Sequence, residues 1–336
     1  MNYMAVVGVA GVFIGCCSNV YFLEMLVKVD PGSGNLITFL QFVFISIYGF
    51  IFTSKCGTAK RHIPFKDYVT LVVFFFLTSV ANNYAFDFNI PMPLHMIFRA
   101  GSLMANMVMG IIILKKQYTP LKYLSVIMIT AGIIICTVQS GTEVKGHGSE
   151  HRTAEEDEAL RAMDIFWWAV GIAILTFALF LSARMGIFQE TLYQKHGKYP
   201  WEALFYTHAL PLPLFALLGT NLWQHWNLTG ESLPMEAFFG IPSARVYLLG
   251  NVMTQWMCIG SVYILTTECA SLTVTLTVTL RKFVSLIFSI LYFRNPFTVA
   301  HWTGTLLVFF GTLIFTEILQ NVAAAVLPKS KKEKVK

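Results

Sequence analysis

The stretch Leu272-Thr-Val-Thr-Leu-Thr-Val-Thr-Leu-Arg-Lys-Phe-Val-Ser-Leu-Ile-Phe288 places two basic residues, Arg281 and Lys282, inside an otherwise apolar segment. A second stretch, Met96-Ile-Phe-Arg-Ala-Gly-Ser-Leu-Met-Ala-Asn106, carries Arg99 in the same way. A basic residue at the centre of a membrane helix costs about 2.5 to 3.5 kcal/mol, so three cost roughly 8 to 10 kcal/mol before snorkelling relieves part of it. Very few acidic residues lie in the apolar segments to offset this cost. The sequence therefore predicts a polar cavity that receives an anionic ligand.

The composition is that of a membrane protein. Of the 336 residues, 56% are hydrophobic and 12% charged, with a mean hydropathy of +0.63, whereas soluble domains average about 25% charged residues. The alternating threonines of the quoted stretch resemble a strand pattern, but a strand cannot span a bilayer unless a barrel closes. We expect an all-α polytopic membrane protein of ten helices, since apolar stretches long enough to span lie near 4–23, 36–53, 68–86, 94–114, 121–139, 165–183, 202–222, 245–266, 271–293 and 299–319.

The distribution of lysine and arginine predicts the orientation. Basic residues collect between spans 2 and 3, 4 and 5, and 6 and 7, and in the C-terminal tail, which ten spans place on one side. That side should be cytosolic, and both termini with it. The opposite loops are neutral or acidic, as at Glu155-Glu-Asp-Glu158, and contain the glycosylation sequon Asn227-Leu-Thr229. Asn227 is therefore a glycosylation candidate.

The chain contains an internal similarity. Thr119, Gly132 and Thr137 match Thr298, Gly311 and Thr316 at one offset of 179 residues. Because each half has five spans, the second half enters the membrane from the opposite side. This predicts a five-plus-five inverted-topology repeat, in which substrate binds near the midplane between the halves. We expect a first half at 1–139, an acidic luminal loop at 140–164, a second half at 165–320 and a cytosolic basic tail at 321–336.

Polar residues inside the spans are the further candidates for substrate binding. Such side chains usually point into the bundle, although each alone is more often a helix-to-helix hydrogen bond. Structural alternatives also exist for the arginines: Arg281 could pair with Glu24, Glu190 or Glu268, and Arg99 could snorkel to its helix end. The candidates are Arg281, Lys282, Arg99, Asn19, Asn83, Tyr84, Tyr206 and Gln255.

Other classes of function find no support. The chain lacks a phosphate-binding G-x-x-x-x-G-K-[ST] loop, a H-E-x-x-H zinc motif and a G-x-S-x-G nucleophile motif. Five of its six cysteines fall within or at the edge of apolar segments and are expected to be small buried residues, since no metal spacing or disulfide framework is present. We expect no enzymatic activity, cofactor, metal site or nucleic-acid partner.

Three stretches carry motifs typical of one family. They are Thr279-Leu-Arg-Lys-Phe283 with Ser285, Ser289, Asn295-Pro296 and Trp302-x-Gly304, then Gly15-Cys-Cys-Ser-Asn-Val-Tyr-Phe-Leu-Glu24 and Phe98-Arg-Ala-Gly-Ser102. In these motifs the chain resembles nucleotide-sugar transporters of the drug/metabolite transporter superfamily, and their UDP-xylose and UDP-N-acetylglucosamine branch. The resemblance implies ten helices in an inverted repeat, exchange of cytosolic nucleotide sugar for luminal nucleoside monophosphate such as UMP, and a nucleotide pocket lined by Arg281 and Lys282.

The C-terminal tail resembles a signal for subcellular localisation. Lys332 and Lys334 lie five and three positions from the end, as in a dilysine retrieval signal that the COPI coat binds on the cytosolic face. A generic basic tail attracted to anionic lipid is the alternative. The implied location is the Golgi or endoplasmic reticulum membrane. A transporter of another phosphorylated anion and a non-transporting scaffold for glycosyltransferases remain alternative functions, and the span glycines permit a homodimer.

Overall fold

The computed structural model describes residues 3–88, 90–142, 154–197, 199–269 and 271–318. Their only strands are the two-residue β1 and β2, which pair antiparallel between helices α9 and α10. The prediction of an all-α fold is therefore confirmed. The helices are α1 Tyr3–Val29, α2 Gly34–Tyr48, α3 Phe65–Tyr84, α4 Met92–Ala100, α5 Ser102–Leu114, α6 Pro120–Thr142, α7 Ala154–His196, α8 Pro200–Ala209, α9 Gly219–Gly230, α10 Ser243–Glu268, α11 Ser271–Phe293 and α12 Val299–Phe315, with β1 at Pro234–Met235 and β2 at Ile241–Pro242.

The predicted spans correspond to helical segments. Among the described residues, nine segments are long and apolar enough to cross a membrane, and α12 adds a shorter apolar helix of 17 residues in the place of the tenth span. Span 4 consists of α4 and α5, and span 7 of α8, a short 3-10 segment and α9. The break in span 7 falls at Pro211 and Pro213, because proline lacks the amide that an α-helix needs. The fold is that of a polytopic membrane protein.

The segment between the halves differs from the predicted loop at 140–164. Helix α6 continues to Thr142 and α7 begins at Ala154, so helix occupies both ends of that range. The sequence Ala154-Glu-Glu-Asp-Glu-Ala-Leu160 consists mainly of strong helix formers. Its polarity suggested a loop, but helix propensity does not require an apolar face.

The pairing of helices follows the repeat. The main packing partners across the halves are α1 with α10, α3 with α7, and α6 with α12. In span numbers these pairs are 1 with 8, 3 with 6, and 5 with 10. Replacing each span by its counterpart five spans away turns the pair 1 with 8 into the pair 6 with 3, and leaves the pair 5 with 10 unchanged. The contacts of α5 with α7 and of α11 with α1 exchange in the same way. This exchange is what a repeat of five spans would produce; the inverted topology of the two halves stays a prediction.

Glycines bring α1 and α10 close together. A Cβ atom at Gly15 would lie 2.9 Å from the backbone nitrogen of Cys258, and the Cα atoms of Cys16 and Cys258 are 4.7 Å apart. The structure joins these two cysteines in a disulfide, so the prediction that the cysteines form no disulfide framework was wrong. The spacing of 242 residues gives no local signal of the pair, which exists because the helices meet.

Candidate functional site

The break between α4 and α5 positions Arg99. Gly101 ends α4 by donating its amide to the carbonyl of Phe98, at 2.9 Å, and a Cβ atom there would lie 2.9 Å from Ile133 Cδ1. A side chain at this position would displace Ile133 and crowd the carbonyl oxygen of Phe98, 3.0 Å from the Cβ position. Arg99 therefore sits in the last turn of α4, at a discontinuity inside a membrane span, the kind of element that transporters use at substrate sites.

Arg99, Arg281 and Lys282 line one cavity of about 390 Å³. Arg99 belongs to the first half of the chain, whereas Arg281 and Lys282 lie near the middle of α11 in the second half. Met96, Leu103 and other apolar side chains form much of the wall. The polar residues that share it with the cations are Asn82, Ser102, Ser182, Ser285, Thr305 and Thr312.

The basic residues of this cavity have no salt-bridge partner among the described residues. Within the described part of the chain, none of the three basic residues forms a salt bridge, and the buried Nε of Arg281 has no hydrogen-bond partner. Two of the acidic residues that could have paired with Arg281 are bound elsewhere. Glu24 accepts hydrogen bonds from Ser289 and Asn295, and Glu190 pairs with Lys116 at 3.0 Å. The cavity is therefore suited to an anion, which would supply the missing negative charge.

Two of the other predicted binding residues join helices instead. The side-chain amide of Asn19 donates to the carbonyl of Asn251 at 2.9 Å, and Asn251 returns a bond of 3.1 Å to the carbonyl of Asn19. Asn83 donates to the hydroxyl of Thr38 at 2.8 Å and to Asn35 at 3.3 Å. These are the helix-to-helix hydrogen bonds that the sequence left as the alternative.

Three further candidates lie away from the cationic cavity. Tyr206 stacks on Tyr68, with ring centroids 4.7 Å apart, and lines a second cavity near the start of α8. Tyr84 ends α3 and Gln255 lies in α10; both are half-buried, and neither lines the cavity of the three cations.

Sequence reasoning missed several cavity residues. Asn82 is adjacent to the predicted Asn83, but consecutive helical residues point about 100° apart and only Asn82 faces the cavity. Serines such as Ser102 and Ser182 give little signal in an apolar helix, because their hydroxyls often bond to the preceding turn. Only the three basic residues have a desolvation cost large enough to predict a polar cavity from the sequence.

The predicted glycosylation site and retrieval signal are separate from substrate binding. Asn227 is exposed but sits in the last turns of α9 rather than in a loop between spans 7 and 8. The hydroxyl of Thr229 in the same sequon is buried and donates to the carbonyl of Trp226 at 2.7 Å. Lys332 and Lys334 lie outside the described residues. No group of three or more metal-binding side chains occurs in the part of the chain that the structure describes.

Comparisons with known proteins find similar sequences along nearly the whole chain. The UAA transporter family matches residues 4–319. A UDP-xylose and UDP-N-acetylglucosamine transporter of Danio rerio is 58% identical over 94% of each chain. An endoplasmic reticulum GDP-fucose transporter of Drosophila melanogaster is 55% identical over 99% of this chain and 96% of its own. The human nucleotide sugar transporter SLC35B4 is 55% identical over 93% of each chain.

A solved crystal structure shares the fold. Its chain is 11% identical and superposes with a TM-score of 0.52, covering 93% of this chain and 98% of its own. At this identity the likeness concerns the arrangement of helices and not the ligand.

Proposed function

This chain belongs to the UAA transporter family, and on that premise we propose that it is an antiporter that exchanges cytosolic UDP-N-acetylglucosamine, UDP-xylose or both for luminal UMP. Nucleotide-sugar transport is the activity of its relatives from zebrafish and human. The membrane is that of the Golgi or endoplasmic reticulum, with both termini in the cytosol.

The proposal rests on three cations around one cavity that form no salt bridge with any residue the structure describes. A UDP-sugar carries a diphosphate. The planar guanidinium groups of Arg99 and Arg281 can grip such a group with paired hydrogen bonds, while Lys282 adds a compact point charge. Cations from both halves then meet on one ligand, which couples ligand binding to the relative position of the halves.

Exchange follows from the same charges. An empty cavity holds unpaired positive charge, which is costly to enclose when the halves close around it. UMP carries a phosphate to the same residues and so allows the return step. The transporter therefore changes its open side when it is loaded and resists doing so when it is empty.

A second candidate substrate is GDP-fucose, because the Drosophila relative carries it and matches 99% of this chain. Both candidates need the same cationic diphosphate site, so the cavity charge does not distinguish them. They differ in the base, and therefore in the monophosphate that drives exchange.

The test is uptake of labelled UDP-N-acetylglucosamine, UDP-xylose and GDP-fucose into proteoliposomes that contain only this protein. We expect uptake of a UDP-sugar that internal UMP stimulates and internal GMP does not. Stimulation by GMP alone would assign the chain to GDP-fucose. Competition by sugar phosphates but not by UMP would assign it to another phosphorylated anion, and absence of all transport by folded protein would favour the scaffold.

A further inference from the structure

A second cavity, of about 340 Å³, lies between the turn from α2 to α3 and the start of α8. Its lining includes Lys60, Arg61 and His62 from the turn, and Tyr199, Trp201 and Tyr206 from in front of and within α8. It shares no residue with the cavity of Arg99, Arg281 and Lys282. The lysine distribution assigns this end of the helices to the cytosol.

The acidic residue of this cavity is already satisfied. The carboxylate of Glu202 accepts bonds from the amide of Ile63 at 3.0 Å, the hydroxyl of Tyr68 at 2.9 Å, and both the amide and ring nitrogen of His62 at 3.0 and 2.8 Å. The His62 ring is further fixed by stacking on Tyr199 at 4.1 Å. In the described residues, no salt bridge involves Lys60 or Arg61. Their two charges therefore remain free for an external anion.

Large aromatic side chains beside the cavity are exposed. Trp201, which lines it, is 41% exposed, and Phe52 and Phe65, at the ends of the turn, are 63% and 47% exposed. The guanidinium of Arg61 lies 5.7 Å from the centre of the Phe65 ring. Aromatic side chains at such a level mark the interface between headgroups and acyl chains. A lipid whose anionic headgroup binds in this pocket would have an apolar protein surface next to its acyl chains.

We propose that this pocket binds the phosphorylated headgroup of an anionic phospholipid of the cytosolic leaflet, with Lys60 and Arg61 as its phosphate-binding residues. Basic pockets between membrane helices on the cytosolic side suit such headgroups. The satisfied Glu202 holds the turn against α8 and so shapes the site. The acyl chains lie along the exposed Phe52 and Phe65.

The test measures binding of a labelled short-chain phosphatidylinositol 4-phosphate to the purified full chain in detergent. The variant Lys60→Gln/Arg61→Gln is compared with Lys66→Gln, which removes an exposed lysine that does not line the pocket. We expect the double variant to bind roughly thirtyfold more weakly, because each basic residue contributes about a factor of five at an anionic lipid headgroup. The lysine-rich tail is the same in all variants and adds only a common background.

Two competition arms distinguish a lipid from free phosphate. We expect unlabelled phosphatidylinositol 4-phosphate to displace the probe, and equal concentrations of inorganic phosphate or UMP to leave it bound. Unchanged affinity of the double variant, or an equal loss in Lys66→Gln, would overturn the proposal. Displacement by inorganic phosphate as effective as displacement by lipid would show a phosphate site without lipid specificity and would also overturn it. Thermal unfolding of each variant confirms that a loss of binding is not a loss of fold.

Discussion

The carboxylate of Glu24 on α1 accepts a hydrogen bond of 2.6 Å from the hydroxyl of Ser289 on α11. The amide of Asn295 donates a second bond of 2.7 Å to the same carboxylate. Ser289 lies eight residues beyond Arg281, about 12 Å along the helix. This acidic side chain is thus held by neutral donors, and it does not neutralise the cations of the cavity.

Replacing Glu24 separates its structural role from transport. Glu24→Ala leaves the buried Ser289 hydroxyl without its acceptor, which should lower stability by about 1 to 3 kcal/mol. The Asn295 amide loses its shortest bond and keeps the longer ones to the carbonyl and hydroxyl oxygens of Ser289, at 3.3 and 3.2 Å. Glu24→Gln keeps an acceptor for Ser289 and should cost less. Thermal unfolding in detergent measures both. Equal stability of Glu24→Ala and the wild type would show that this network does not hold α1 against α11.

Removing Arg281 should abolish transport without unfolding the protein. Arg281→Ala removes a desolvated charge from the ligand, a loss of about 2 to 5 kcal/mol for a buried charge pair. Arg281→Lys should recover part of the uptake, because the charge returns without the paired geometry. Arg184→Ala is the control, since Arg184 lies on α7 just beyond the predicted span at 165–183 and outside the cavity. Wild-type UMP-driven exchange by Arg281→Ala would refute the role assigned to this residue.

The sequence predicted the elements whose physical cost is large. In a bilayer, a long apolar stretch predicts a helix, and the structure has helices at all ten stretches. A basic residue inside such a stretch predicts a polar cavity, and the three basic residues line one cavity. The orientation of single neutral residues could not be predicted. Asn19 and Asn83 are as polar as Asn82, yet only Asn82 faces the cavity, because helix rotation depends on packing between distant segments.

Contacts between residues of the two halves could not be predicted from the sequence either. Cys16 and Cys258 have no motif in common, and their disulfide depends on the close approach of α1 and α10 at small residues such as Gly15. The start of α7 at Ala154 was missed for a different reason, since a polar segment of strong helix formers gives no apolar periodicity.

Replacing the two lysines of the dilysine pattern should change the compartment in which the protein is found. Lys332→Ala/Lys334→Ala should shift the protein outward from the endoplasmic reticulum and early Golgi, because the coat would no longer retrieve it. Lys329→Ala/Lys331→Ala removes the same charge outside the pattern and serves as the control. Fluorescence microscopy against compartment markers measures the shift. Equal redistribution of both variants would indicate a generic basic tail.

Two glycines should respond to alanine with opposite signs. Gly304 on α12 faces α6, and a Cβ atom there would lie 2.7 Å from the carbonyl oxygen of Gly132, whereas a Cβ atom at Gly260 meets nothing within 4 Å. Gly304→Ala should lower stability by about 1 to 3 kcal/mol through overpacking. Gly260→Ala should raise it by up to about 1 kcal/mol, because alanine favours the helix. Similar changes in unfolding temperature for both would mean that α6 and α12 are not in close contact.

The disulfide between Cys16 and Cys258 should link the two halves of the chain covalently. A protease site inserted between residues 143 and 153 allows the chain to be cut once between α6 and α7. We expect the fragments to remain joined on a denaturing gel without reductant, to separate with reductant, and to separate in both conditions in Cys16→Ser. Cys17→Ser is the control, because Cys17 is a free cysteine adjacent in sequence. Separation of the wild-type fragments without reductant, from membranes alkylated before lysis, would show that α1 and α10 are held only by packing.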